Sequence, residues 1–373
     1  MEANLKKYTD LFEYILQNPR EAIENHKKST GKGAVGVLPI YAPEELIDAA
    51  GYLPVGIWGG EKAISKARSH FPPFACSIVQ AIKEFELEGA YDVLDAVIMS
   101  VPCDTLKCYS QKWTGKATPI IFTHPQNRKL EVANQFLVEE YKIIRKKLET
   151  ILNTTITDEA INKSIEIYNE NRRIMREFSD LAAKYPQIIT PAIRHSVIAS
   201  RWCISKKIHT QYVKDFISEI KRLKIEPWTG KKVILTGIMA SSKELLEIFR
   251  QENFAVVADD LAQESRQFRI NVPCGNDPLY RLAKWWQDFD GCSVATDAKK
   301  IRGQMLIDMY KKYEADAIIV CMMKFCDPEE FDYPIYYAEL NNANIPNVLI
   351  EIDLESTSFE QIKTKLQTFN EIL

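Results

Sequence analysis

The chain has 373 residues, with 48 Lys and Arg against 51 Asp and Glu, for a formal net charge of −3. Hydrophobic residues make up 46% and charged residues 27%, a balance that excludes a disordered chain and speaks against a dedicated nucleic-acid binder. The length suffices for two or three domains, each able to bury a core of its own. A membrane-spanning helix needs about 20 mostly apolar residues. The longest continuous apolar run here, Gly and Pro aside, covers only 317–323. The N-terminal stretch MEANLKKYTDLFEYILQ carries acids at Glu2, Asp10 and Glu13 and lacks the basic start and apolar stretch of a signal peptide. The expected setting is the cytoplasm, with no membrane and no nucleic acid as partner.

Residues 1–33 read as an N-terminal helical segment. Leu5, Tyr8, Leu11, Phe12 and Ile15 form an apolar stripe, and Pro19 suits the first turn of a second helix. A first α/β domain is expected over 34–126. Its strands are AVGVLPI (34–40), LPVGI (53–57), VLDAVIM (93–99) and TPIIF (118–122). One helix begins at Pro43, Glu44 and Glu45, with the acids near its positive end, and is closed by Gly51. Another starts near Cys76 and is closed by Gly89.

From 127 to 229 the strand signal fades. Helical periodicity covers 135–152 and 157–185, the second with Thr157 as cap and Ile161, Ile165, Tyr168, Met175 and Phe178 on one face. Val213, Phe216, Ile217 and Ile220 mark a further helix. The plain role of this region is to cover and orient the sheets. A second α/β domain is expected over 230–373. Its strands are KVILTG (232–237), FAVVA (254–258), ADAIIV (315–320) and NVLIEI (347–352). Ser241 and Glu244 are spaced as a capping box, a helix follows Asp277, and a last helix spans 359–369. The alternation predicts an α/β fold of two flavodoxin- or Rossmann-like units with parallel sheets, joined by the helical middle. The units are alike in kind, but no period is strong enough to establish a duplication.

The eight cysteines, without a secretory signal, do not read as a disulfide framework. The plain alternative is a set of scattered core thiols. Two of them occupy a more telling place. Cys103 follows VLDAVIM within VPCDT, and Cys326 follows ADAIIV within KFCDPEE, each with Asp next in the chain. Sites of open α/β sheets lie beyond the C-terminal strand ends, and a helix starting there stabilises a thiolate. Cys76, in FPPFACS at a helix start, is the third candidate. Three thiolates from loops of two domains suit zinc or an iron–sulfur cluster, and their spacing does not name the metal. Cys108 is a fourth ligand or a neighbour of the site, Cys321 reads as core, and Cys203, Cys274 and Cys292 have no converging context. Of the five histidines, only His124, before Pro125, stands in a usual site position. Gly59-Gly60 reads equally as a turn or a ligand approach. There is no GxxxxGK[ST] loop and no convincing GxGxxG after a strand.

Six stretches carry a resemblance: LPIYAPEELIDAAGYLPVGIWGG, FPPFACS, VPCDTLKC, HPQNRK, VADDLAQESRQFR and CMMKFCDPEE. In this order, over nearly the whole chain, the sequence resembles the smaller, beta subunit of the 2-hydroxyacyl-CoA dehydratases, a family related to benzoyl-CoA reductase subunits. The resemblance implies a heterodimer with a larger homologous subunit, each subunit carrying a [4Fe-4S] cluster held chiefly by three cysteines. By motif these are Cys76, Cys103 and Cys326, with the fourth ligand open. It also implies an ATP-dependent iron–sulfur activator, and an (R)-2-hydroxyacyl-CoA bound at or near the subunit interface and converted to an (E)-2-enoyl-CoA. An anaerobic setting of amino acid fermentation goes with it. The chemistry explains the equipment. The β-hydrogen of such a thioester is not acidic, and one added electron gives a ketyl radical anion that expels the α-hydroxyl. The β-proton then becomes acidic, and after its loss the electron returns. The implied role of this chain is electron relay or reservoir. The alternatives are a subunit of an ATP-dependent aromatic acyl-CoA reductase, an assembly scaffold, and a zinc-bound structural protein.

Overall fold

The computed structural model describes residues 2–38, 41–356 and 358–373. Two helices open the chain, α1 (Glu2–Gln17) and α2 (Pro19–Thr30), the second with Pro19 in its first turn. The first α/β unit follows as β1 (Ala34–Leu38), α3 (Glu44–Ala49), β2 (Leu53–Gly56), α4 (Ser77–Leu87), β3 (Ala96–Ser100), α5 (Asp104–Ser110) and β4 (Thr118–Phe122). Pro39 and Ile40, expected at the end of the first strand, lie outside the described residues. The middle holds α6 (Glu131–Leu152), α7 (Asp158–Ala182), α8 (Pro191–Ala199) and α9 (Lys206–Ile220). The second unit contains β5 (Lys231–Gly237), α10 (Lys243–Gln251), β6 (Phe254–Leu261), α11 (Pro278–Asp288), α12 (Arg302–Lys312), β7 (Ala317–Met323), α13 (Asp327–Asn342), β8 (Asn347–Ile352) and α14 (Glu360–Ile372).

Both sheets are parallel throughout, and their strand orders correspond: β2-β1-β3-β4 in the first and β6-β5-β7-β8 in the second. Register sets Ile98 of β3 against Val37 and Ile120, and Ile319 of β7 against Leu235 and Val348. Such sheets are covered on both faces, which is why the central strands are continuous apolar runs. The period-2 alternation then sends neighbours to opposite sides. Val233 and Leu235 join an apolar cluster that reaches into the first unit, while Ile234 packs with Leu306 and Leu340 on the other face. Around Phe12, Phe178 and Phe216 a separate cluster joins α1, α7, α8 and α9. The expected two α/β units with parallel sheets and a helical middle are what the chain folds into.

The differences in detail have physical causes. Val93 and Leu94 lie before β3, in a turn where the Leu94 N–H donates to the Tyr91 carbonyl at 3.1 Å. The cap of α10 is Ser242, whose side chain accepts the Leu245 N–H at 3.4 Å, in place of the expected Ser241. Helices α8 and α12 give no clear apolar stripe because their inward positions include Arg194, His195 and Arg302. The two arginines are matched by buried acids, with Arg194 on Glu264 at 2.6 Å and Arg302 on Asp260 at 2.9 Å. Gly59, at φ 75°, lies close against α4, where an added Cβ would meet the Ile78 carbonyl at 3.1 Å.

Gly237 ends β5 at φ 143°, and a Cβ there would lie 2.1 Å from the Cys321 carbonyl of β7. Gly237→Ala must therefore push β5 and β7 away from each other. The expected cost is about 1–3 kcal/mol, read as a lowered denaturation midpoint with unchanged slope.

Candidate functional site

In each sheet the strand order reverses beside the first strand, between β1 and β3 and between β5 and β7. The crevice beyond the C-terminal ends at such a switch point is where open α/β sheets bind ligands. Cys103 follows β3 and caps α5, and Cys326 follows β7 and caps α13. The two cysteines thus hold corresponding places in the two units. Cys76 caps α4.

Buried polar contacts fix how these helix starts stand to one another. Glu86 of α4 accepts from the Tyr109 hydroxyl of α5 at 2.8 Å and from the Thr114 N–H at 2.7 Å, and pairs with Lys83 at 2.7 Å. That ties the helix behind Cys76 to the helix behind Cys103. Ser77, the residue after Cys76, reaches the second unit. Its hydroxyl contacts the Met323 sulfur at 3.3 Å and accepts the Leu354 N–H at 3.1 Å. At the third position, Phe325 takes a left-handed φ of 61°, and its N–H donates to Glu330 Oε1 at 3.0 Å while the Cys326 N–H donates to the Met323 carbonyl at 3.0 Å. The turn is closed from both sides, so the strain of that φ is held by its own hydrogen bonds.

All three thiols are partly buried. Burial pushes Cys76 up to about 12, against the pull of the Val79 and Ile78 N–H groups, with Cys103 and Asp327 adding to the rise. Burial also raises Cys103, opposed by the Leu106 and Thr105 N–H groups. Cys326 is raised well above the usual thiol value by burial, then by Glu329, Cys76 and Cys103, with the Glu329 N–H opposing. None of the sulfurs makes a fully formed capping bond, yet each has first-turn N–H groups near enough to act on it. Charge on Cys103 thus acts on Cys76, and charge on both acts on Cys326. Without a cation they are thiols; a bound cation would make them thiolates. Among the described residues no three His, Cys, Asp or Glu side chains converge tightly enough to hold a single metal ion.

The other candidates fall elsewhere. Cys108 is exposed on α5, Cys274 is exposed, and Cys321 is buried inside β7 as expected of a core thiol. Cys203 is buried, which pushes its thiol up to about 12. His124 is a core residue. Its ring lies 4.2 Å from that of Trp286, with Ser100 at 3.2 Å on Nδ1 and the Tyr41 carbonyl at 3.3 Å on Nε2. Sequence reasoning missed Cys292, whose sulfur accepts from the Tyr41 hydroxyl at 2.8 Å and from Arg266 Nη1 at 3.3 Å. Both partners stand in the family-like stretches, but contacts across 251 and 26 residues leave no local signal. Also missed was the fate of Glu44 and Glu45. They stand in the first turn of α3 as expected, but as buried pairs, Glu44 with Lys206 and Glu45 with Arg172, each at 2.6 Å.

Burial holds the His124 and His209 imidazoles down at about 3, so both are neutral in the folded chain. In the unfolded chain they protonate below about pH 6.5. The unfolded state then binds more protons, so the contribution of these two groups is level well above pH 6.5 and falls as the pH drops through it. Each imidazole contributes a slope of up to about 1.4 kcal/mol per pH unit. Denaturant unfolding between pH 7 and 5 is expected to show this fall, and His209→Gln to remove about one proton's share of it.

Comparisons with known proteins show the family of the chain. The family model described as 2-hydroxyglutaryl-CoA dehydratase, D-component, matches residues 39–373. The lactoyl-CoA dehydratase subunit beta of Anaerotignum propionicum is 55% identical over 100% of this chain and 99% of its own length. The (R)-phenyllactyl-CoA dehydratase beta subunit of Clostridium sporogenes is 45% identical over the full length of both chains. The (R)-2-hydroxyglutaryl-CoA dehydratase subunit beta of Acidaminococcus fermentans is 33% identical over 97% of this chain and 98% of its own. No helix among the described residues is long and apolar enough to cross a membrane. By this full-length similarity the chain belongs to the 2-hydroxyacyl-CoA dehydratase family as a beta subunit, part of an enzyme that eliminates water.

Proposed function

We propose that this chain holds a [4Fe-4S] cluster through Cys76, Cys103 and Cys326. In this reading it serves as electron relay or reservoir for a larger homologous subunit acting on an (R)-2-hydroxyacyl-CoA. The observation that supports the proposal is the placement of three thiols from two α/β units at helix starts, with Cys103 acting on Cys76 and both acting on Cys326.

The donor set fits the group. Sulfur ligands are those of iron–sulfur clusters, and helix N-termini favour an anionic guest. When bound, such a cluster supplies single electrons at low potential. The protein's share is to hold the three sulfurs apart at fixed places, to surround them with apolar walls, and to present N–H groups toward them. Phe74 and Phe331, 69% and 81% exposed, stand two residues before Cys76 and five after Cys326. They leave apolar surface beside the site for the larger subunit to cover. ATP use is assigned to a separate activator, since no GxxxxGK[ST] loop is present here.

Anaerobically purified protein should contain about four irons and four sulfides per chain. Zinc at full occupancy with no iron would overturn the proposal.

A further inference from the structure

The two halves of the site belong to different units: Cys76 and Cys103 to the first, Cys326 to the second. Resting on the cluster reading above, we propose that a buried chain of contacts, Tyr41–Cys292–Arg266–Glu329, is the strap that positions Cys326 against the other two thiols.

The strap starts just beyond β1, at the first unit's switch point. Tyr41 is 2% exposed at a left-handed φ of 72°, a conformation that needs support from its surroundings. Its ring is boxed by Phe289 at 4.7 Å and Trp286 at 4.8 Å. Its hydroxyl donates to the Cys292 sulfur at 2.8 Å. From the second unit, Arg266 donates to the same sulfur through Nη1 at 3.3 Å. The fork of that guanidinium is fully used. Nε donates to Asp260 Oδ1 at 3.1 Å, and Nη2 lies 3.1 Å from both Asp260 Oδ2 and Glu329 Oε1. A lysine could not reproduce this spread of donors.

Glu329 is the last link. It stands in the first turn of α13, the turn that Cys326 caps, and is wholly buried. Arg266, Arg302 at 2.9 Å and the Ser293 hydroxyl at 2.6 Å hold it. A first turn pinned through its carboxylate cannot shift without breaking buried ionic hydrogen bonds, so the Cys326 sulfur is fixed with it. Cys292 has no place as a ligand in this reading. It is the acceptor on which one donor from each unit converges. The strap also carries charge. The Glu329 carboxylate faces Cys326 and is balanced by Arg266 and Arg302. Removing that negative charge leaves the guanidiniums in excess and favours the reduced, more negative cluster.

The test uses cluster-loaded protein, with iron release to a chelator and the cluster midpoint potential as readouts, and far-ultraviolet circular dichroism to verify folding. Tyr41→Phe and Cys292→Ala should each speed iron release roughly 10–100-fold, the range for loss of a group that supports a ligand. Cys292→Ser, which restores an acceptor, should return most of the wild-type retention. Glu329→Gln should raise the midpoint potential, a change that a merely structural carboxylate would not produce. Wild-type release rates in Tyr41→Phe and Cys292→Ala, with an unmoved potential in Glu329→Gln, would overturn the strap alone. A wild-type protein without iron would overturn the cluster reading and the strap with it.

Discussion

Cys103→Ser is expected to abolish water elimination by the assembled dehydratase, and Cys76→Ser and Cys326→Ser to do the same. The loss should exceed the roughly 10–100-fold that follows removal of a supporting group, because a ligand itself is lost. Each cysteine stands at the N-cap position of a helix, packed against apolar neighbours. Serine offers a harder, poorly matched oxygen. The same exchange at Cys203 or Cys274 should leave activity near wild type, since one is in the core and the other exposed, both away from the switch points. Iron content measured beside the rate distinguishes loss of the cluster from loss of an assembly surface. Full iron retention in all three serine variants would count against the assignment.

The largest effect on stability is expected from Lys206→Met. Burial pulls the Lys206 amine down and pushes the Glu44 carboxyl up. Their pairing, with Arg201 beside them, leaves Glu44 below the usual carboxylate range. The ammonium also donates to the Arg201 carbonyl at 2.7 Å and stands 5.2 Å from the centre of the Tyr168 ring. Methionine fills similar space but abandons a buried carboxylate, at a cost of about 3–5 kcal/mol. Adding Glu44→Gln should recover some of that loss, because the uncompensated charge is then gone. Equal destabilisation in the single and double variants would show that packing, rather than charge, holds α3 to the helical middle.

What was legible in the sequence follows from where local rules suffice. Short β-branched and apolar runs read as strands even at a sheet edge, so TPIIF and NVLIEI were readable to the residue although β4 and β8 are edge strands with exposed positions. Thr157 was readable as a cap because its partner, the Ala160 N–H at 3.2 Å, is local. Helices α8 and α12 were not readable, because their inward faces carry Arg194, His195 and Arg302, whose partners lie far away in the chain. The site divides in the same way. Cys103 and Cys326 announce themselves through strand, loop and Cys-Asp, and the structure sets them at equivalent ends of two sheets of like order. Cys76 was readable as a candidate at a helix start in FPPFACS, whereas the tie of Ser77 to Met323 is long-range and no local pattern records it. His124 looked like a site residue because it follows a strand. The crowding of Trp286 and Phe122 around it makes it a neutral core side chain instead.

Mössbauer spectra with iron-57 placed in this chain alone, within the assembled enzyme, test the central claim most directly. The account predicts the signal of one [4Fe-4S] cluster, unchanged on adding an (R)-2-hydroxyacyl-CoA, while iron-57 in the larger subunit responds to the same substrate. An absent cluster signal in this chain, or a substrate-induced change confined to it, would contradict the account.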